Sequence, residues 1–240
     1  MAIPFRMKMF SFSIIIPVLN ESSIINHTVE HVYSIGSGSD IEVIVIDGDY
    51  EGKTISVLRN KEAIKDISPV GRGKQMNKGA SLAKGEILLF LHTDTELPEH
   101  ALRTISSFMD RGHYAGGAFD LGIKSDRSVF RLIEKLVYVR TRLTRVPYGD
   151  QAIFIKKNYF DRMKGFKEIP LMEDLEFMRR MKRRGHKICI IPQKVITSPR
   201  RWEREGVIGC TLRNWSLRSL YLLGVQPDKL VRFYYRDWEK

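Results

Sequence analysis

Along the first hundred positions, short runs of consecutive apolar residues alternate with segments whose apolar residues recur every three or four. The runs are 12–16, 41–46 and 87–91. A strand that is apolar on both faces is a strand covered on both faces. Between the first two runs, residues 21–34 place Ile24, Ile25, Val29 and Val32 on one helical face, and residues 71–83 predict a second helix. The stretch through Thr54, Val57 and Leu58 reads as a helix or turn, and the Gly/Ser-rich residues 34–39 as a loop. This alternation predicts an α/β fold with a mostly parallel sheet and right-handed crossovers. Beyond a helix beginning near Pro98 the order loosens: residues 116–123 and 151–156 predict strands, and 129–141, 174–184 and 205–223 predict helices.

The predicted strands end in polar clusters. Pro17-Val18-Leu19-Asn20-Glu21 follows the first, Asp47-Gly48-Asp49 the second and His92-Thr93-Asp94 the third. Ligands of open α/β sheets bind outside the carboxyl ends of the strands, so the three clusters define one candidate edge. His92 and Asp94, two apart, point to the same side of an extended chain and could share a divalent cation. Each cluster also has a plainer reading: Asn20 as a helix cap, Asp47-Gly48 as a turn, and Thr93-Asp94-Thr95 as a turn that caps the next helix. Gly48 to Thr54 resembles a phosphate-binding P-loop only superficially, because the register requires glycine where Asp47 stands. No G-x-S-x-G segment supports a serine hydrolase.

Composition narrows the classes. The chain has 240 residues, 43% of them hydrophobic, enough for a sizeable core, and no apolar run approaches the roughly 20 residues of a membrane span. Residues 1–10 hold no apolar stretch of signal-peptide length, and Cys189 and Cys210 lack metal or redox spacing, which predicts unpaired thiols and a cytoplasmic setting. The net charge of +12 is concentrated in 131–145, 179–187 and 200–204. Such basic clusters suit nucleotide phosphates or anionic lipid, and nucleic acid is the weaker partner because no recognition motif accompanies them. Residues 211–223 interleave Leu, Trp and Tyr with arginine, a pattern that fits an anionic membrane surface, a lipid-linked acceptor, core packing or a homodimer.

Taken together, IIPVLNE (15–21), VIDG (45–48), GRGKQMNKGA (71–80), LFLHTDT (89–95), YGDQ (148–151), EDLE (173–176) and RRW (200–202) resemble glycosyltransferase family 2, in the right order over nearly the whole chain. The nearest branch resembles the short, single-domain arsenosugar or selenium-associated glycosyltransferase-like proteins. The resemblance implies a GT-A-type, Rossmann-like mixed sheet flanked by helices, with a helical C-terminal extension. One domain over 1–240 is expected: a nucleotide-sugar half at about 10–110, an acceptor half at about 111–204 and an amphipathic tail at about 205–240.

The resemblance also implies roles. Pro17, Asn20, Glu21, Asp47 and Gly48 would meet the base and ribose of a nucleotide sugar, a UDP-sugar foremost, with Arg72, Lys74 and Thr93 close by. The family's Asp-x-Asp metal motif falls on His92 and Asp94, with imidazole in place of the first carboxylate, and implies Mn²⁺ or Mg²⁺. Asp174, beside Glu173, would be the general base of an inverting transfer to an acceptor hydroxyl, on a small molecule or a lipid-linked acceptor. Gly149, Asp150, Gln151, Arg200, Arg201 and Trp202 would face acceptor or diphosphate. On the residues alone, Glu173 and Asp174 equally suit the first turn of a helix, where the dipole favours acids. A nucleotide-binding module without catalysis and a basic interaction protein are the competing functions.

Overall fold

The computed structural model describes residues 8–234, so the leader reading over the first seven positions and the last six residues of the tail lie outside the described residues. Eight strands form one sheet: β1 (Phe12–Val18), β2 (Ile41–Asp47), β3 (Ile64–Ile67), β4 (Ile87–Phe90), β5 (Thr95–Glu96), β6 (Gly116–Ile123), β7 (Phe154–Lys156) and β8 (Ile188–Thr197). Their order is β3-β2-β1-β4-β7-β6-β8-β5. The first four neighbours pair in parallel, β7 runs antiparallel to β4 and to β6, and β6 pairs in parallel with β8. The helices are α1 (Ile25–Ile35), α2 (Lys53–Ser56), α3 (Arg72–Leu82), α4 (Ala101–Arg111), α5 (Ser128–Thr144), α6 (Lys157–Arg162), α7 (Glu173–Arg183), α8 (Arg200–Glu205), α9 (Val207–Leu222) and α10 (Pro227–Tyr234).

The continuous apolar runs are explained by two cores, one on each face of the sheet. Ile14 and Ile16 of β1 and Val43 and Val45 of β2 pack with Ile25, Val29 and Val32 of α1 and Leu102 and Ile105 of α4. Ile15, Ile44 and Ile46, pointing the other way, pack with Met76 and Ala80 of α3 and Phe177, Met178 and Met181 of α7. Phe166 anchors α7: its ring lies 4.9 Å from Phe90 and 4.7 Å from Phe177. That packing fixes where the helix starts, and Glu173 and Asp174 are its first two residues.

Several expected elements shift for identifiable reasons. Helix α1 begins at Ile25 rather than residue 21, because Asn20 adopts φ 58° and the Glu21 N–H is taken by Thr54 Oγ1 at 3.1 Å. The strand expected from 151 begins at Phe154, since Gly149–Gln151 form a 3-10 turn and Ala152 follows with φ 50°. The helix expected over 205–223 is α9, and Gly206, with φ 82°, separates it from α8, a short helix over residues 200–205 that the sequence did not predict. Strands β3, β5 and β8 and helices α6 and α10 are additional to the elements predicted from the sequence. Pro192 argues against a strand by pattern, yet it sits where the β6–β8 register jumps from Phe119↔Ile191 to Asp120↔Lys194. A bulge is one of the few places a strand tolerates proline.

Candidate active site

The carboxyl ends of β1, β2 and β4 converge as the sequence predicts, and the loops there are held mainly by their own hydrogen bonds. Asp47 is fully buried; its Oδ1 accepts from the Asp49 N–H at 3.0 Å and its Oδ2 from the Thr54 and Ile55 N–H groups at 2.8 and 3.2 Å. In this conformation both Asp47 oxygens fold the loop that follows β2. Gln75, missed as a site residue although it stands inside the 71–80 motif, donates through Nε2 to the Val18 and Ile46 carbonyls at 2.7 and 2.9 Å. It clamps the ends of β1 and β2 under Gly48, where a Cβ would come within 3.2 Å of its amide. Pro17 is half-buried at the end of β1, Asn20 is exposed beyond it, and Lys74 is half-buried in the first turn of α3. Thr93 is buried, its carbonyl accepting from Thr28 Oγ1.

Arg200 closes this edge. Its guanidinium meets Glu21 in a forked pair, Nη1 to Oε2 at 2.8 Å and Nη2 to Oε1 at 2.6 Å, and its Nε reaches Asp94 Oδ2 at 3.3 Å. Two residues expected to meet nucleotide and metal are thus joined across the cleft by an arginine from α8.

Beside it opens a cleft of about 230 Å³ whose wall includes Arg72, His92, Asp94, Asp150, Glu173 and Asp174. Gly149 and Leu175 donate their N–H groups to Asp174 Oδ2 and Oδ1, both at 2.6 Å, so the carboxylate is aimed by backbone. A Cβ on Gly149 would lie 2.9 Å from His92 Nε2 and 3.3 Å from Asp174 Oδ2. Glycine is therefore what lets imidazole and carboxylate approach the same space. Crowding of acids in a dry wall has electrostatic consequences. Burial, reinforced by the Asp174 charge and opposed by Arg72, pushes the Glu173 carboxyl up to about 7. Burial likewise pushes Asp150 up to about 6, against the pull of Arg140. Desolvation and then the Arg72 guanidinium hold His92 down to about 4, outweighing Asp94 and Asp174.

A neutral imidazole has the free lone pair that a metal requires, and the His92 ring makes no hydrogen bond among the described residues. Among the described residues no three His, Cys, Asp or Glu side chains form a ligating group. His92 and Asp94 line the same cleft and are of the donor types, imidazole nitrogen and carboxylate oxygen, that a divalent cation accepts.

The cleft's far wall comes from Tyr148, which opens the 148–151 motif, and from Asn214, Leu217, Arg218 and Tyr234, none of them among the expected site residues. For the last four the advance signal was arginine interleaved with aromatics in the tail. Trp202 lines the cleft and also packs edge to face on Phe130, with centroids 5.8 Å apart. Arg201 lines it too, donating to the Tyr234 hydroxyl and, at 3.3 Å, to Glu205. Gln151, expected to face acceptor or diphosphate, is instead fully buried: its Nε2 donates to the Phe119 carbonyl at 2.9 Å, and its Oε1 accepts from Arg140 at 2.9 Å. It is a strut beneath the Gly149–Asp150 turn. The cysteines are free and buried, and no helix among the described residues is long and apolar enough to cross a membrane.

The fold is similar to a mannosyltransferase, PcManGT, from Pyrobaculum calidifontis in complex with GDP-Man and Mn²⁺, with TM-score 0.61 and 19% identity over 80% of this chain and 57% of that one. It is also similar to TarS 1-349 of S. aureus, with TM-score 0.60 and 20% identity over 79% of this chain and 61% of that one. A TarS 1-349 complex with UDP-GlcNAc aligns with TM-score 0.57 and 19% identity over 78% and 58% of the two chains. The chain thus matches about three fifths of the length of these structures. No curated protein sequence matches it. The glycosyl transferase family 2 pattern matches residues 13–169. With that match spanning β1 through α6, and with a mixed sheet carrying its polar clusters at the strand ends, the chain has the GT-A fold and belongs to glycosyl transferase family 2.

Proposed function

We propose that this protein is an inverting hexosyltransferase that moves a sugar from a nucleotide sugar, a UDP-sugar foremost, to an acceptor hydroxyl. The observation that carries the reading is the aimed carboxylate of Asp174, fixed by two N–H groups and sharing Gly149 with His92. The nucleotide lies over the ends of β1, β2 and β4, with Glu21 and Arg72 at its ribose and phosphates and Asp47 and Gly48 shaping the loop beneath. The acceptor enters from the α8–α9 side. Asp174 takes the hydroxyl proton as the acceptor oxygen bonds to the anomeric carbon, and the bond from that carbon to the diphosphate breaks on the opposite face. Glu173, pushed up to about 7, is mostly protonated below neutrality and there keeps a second negative charge away from the base. A divalent cation, Mn²⁺ or Mg²⁺, held by Asp94 and His92 would supply Lewis-acid stabilisation of the departing diphosphate. Arg72 and Arg201 add fixed positive charge on the same wall.

The reading is tested by thermal shift and product release with UDP-, GDP- and dTDP-sugars, with and without Mn²⁺. Stabilisation by one donor, strengthened by Mn²⁺ and accompanied by nucleoside diphosphate release, is expected; no shift with any donor sinks it. Binding without turnover under any acceptor would mark a nucleotide-binding module instead.

A separate surface bears on where the enzyme works. Leu132, Leu136, Val139 and Leu143 of α5 are exposed at helical spacing, as are Ile208, Leu212 and Trp215 of α9. With arginines on both helices, these stripes suit an anionic membrane surface at the cytoplasmic face. Flotation with anionic but not zwitterionic vesicles is expected, and a homodimer in their absence would reassign the stripes.

A further inference from the structure

We propose that the α8–α9 end of the cleft is an anion site, in which Arg218 and Arg201 receive a phosphate or carboxylate group carried by the acceptor. This rests on the glycosyltransferase reading and adds the acceptor's charge class to it. Arg218 lines the same cleft as Asp174. Among the described residues it forms no salt bridge, and its Nε is buried without a hydrogen-bond partner. Arg201 has committed Nε to Glu205 and Nη1 to the Tyr234 hydroxyl, which leaves Nη2 buried and unpartnered. Asn214 Oδ1 and the Tyr148 hydroxyl in the same wall are buried without partners as well.

The arrangement around Tyr148 sharpens the point. Arg140 stacks on its ring at 3.6 Å and Arg218 approaches the same ring at 5.6 Å. Neither guanidinium has a carboxylate within salt-bridge distance among the described residues, and each opposes the other's charge. On the nucleotide side the contrast is complete, since Arg200 is matched by both Glu21 and Asp94. Guanidinium N–H groups buried without acceptors, as Arg218 Nε and Arg201 Nη2 are, suit an anion, and the guanidinium fork matches phosphate and carboxylate in two parallel hydrogen bonds. An acceptor without an anionic group would leave those N–H groups to weaker, neutral acceptors.

The test is calorimetric titration of inorganic phosphate into the full chain saturated with UDP and Mg²⁺, so that the donor's diphosphate locus is filled. Binding that persists under UDP, weakens at least tenfold in Arg218→Gln and is unchanged in Arg111→Gln, an exposed residue of α4, is expected. Arg218→Lys, which keeps the charge and loses the fork, should weaken it by an intermediate factor and serves if the Gln variant fails to fold. Phosphate that competes with UDP, or an affinity indifferent to both Arg218 variants, overturns the proposal. If UDP itself does not bind but phosphate binds and requires Arg218, the donor reading fails and the anion site stands. Displacement of phosphate by glycerol 3-phosphate and farnesyl phosphate alike assigns a soluble phosphorylated acceptor; displacement by farnesyl phosphate alone assigns a lipid-linked one.

Discussion

At the ends of β1 and β2, Asp47 spends both oxygens on three backbone N–H groups and Gln75 ties two strands together, while Glu21 and Asp94 share Arg200. Across the cleft the situation is reversed. The buried side-chain polar atoms without a partner, among the described residues, all belong to residues 140–218: Tyr148, Asp150, Arg201, Asn214 and Arg218 are among them. An unsatisfied buried group costs about 1–3 kcal/mol, so a fold carries several of them in one wall only where something else is selected. One side of the cleft is a finished scaffold whose side chains satisfy one another; the other holds buried donors and acceptors that no residue of the described chain satisfies.

The contrast can be broken in order of effect. Asp174→Asn keeps the shape, retains one oxygen to accept from Gly149 or Leu175 in place of two, and cannot take a proton. Turnover should fall about 10²–10⁴-fold with donor affinity retained, measured by single-turnover product release and calorimetry; unchanged turnover would move the base elsewhere. Phe166→Ala removes the aromatic between Phe90 and Phe177 and should cost about 3–5 kcal/mol by denaturant unfolding. The shared core makes that loss independent of any ligand.

The two sides should then respond with opposite signs. Asp47→Ala strips three N–H groups of their acceptor and should destabilise the ligand-free protein by about 2 kcal/mol. Tyr148→Phe removes a buried hydroxyl that has no partner and should stabilise it by about 1 kcal/mol. Loss of stability in both would refute the division between a finished and an unfinished wall.

The smallest effect is in pH. The Asp150 and Glu173 carboxyls titrate near 6 and 7 in the folded chain, above their values in the unfolded chain. As pH rises past about 4 the unfolded chain ionises first. The folded state therefore loses stability between about pH 4 and 7 through these groups and then levels off. Asp150→Asn should raise the thermal midpoint at pH 8 more than at pH 5, read from paired melting curves.

The residue pattern made the first half of the molecule legible because each β-α-β step there is local: apolar run, polar terminus, amphipathic helix. Residues 12–16, 41–46 and 87–90 are strands in the structure, and their polar termini do meet at one edge. The second half was harder to read for a physical reason. Strand β8 takes Pro192 at a bulge, β7 is three residues long, and both are held by pairing with distant strands rather than by their own periodicity. The side chains proposed for function follow the same divide. His92, Asp94, Glu173 and Asp174 stand at element ends and were visible as motifs. Arg218 and Asn214 lay inside a helix whose arginine and aromatic spacing equally suited a membrane, a partner or the core.

What the sequence by itself determined is the alternation that makes a two-faced sheet, the polar strand ends, and the identity of the acids and imidazole gathered there, because period and residue type are local properties. Only the tertiary structure decided that Asp47 and Gln151 serve as struts, that Arg200 spans 179 positions to join Glu21, and that α9 lays Arg218 against the cleft of Asp174. Those outcomes depend on burial and on which donors reach which acceptors across the fold, and neither quantity exists until the chain has closed on itself.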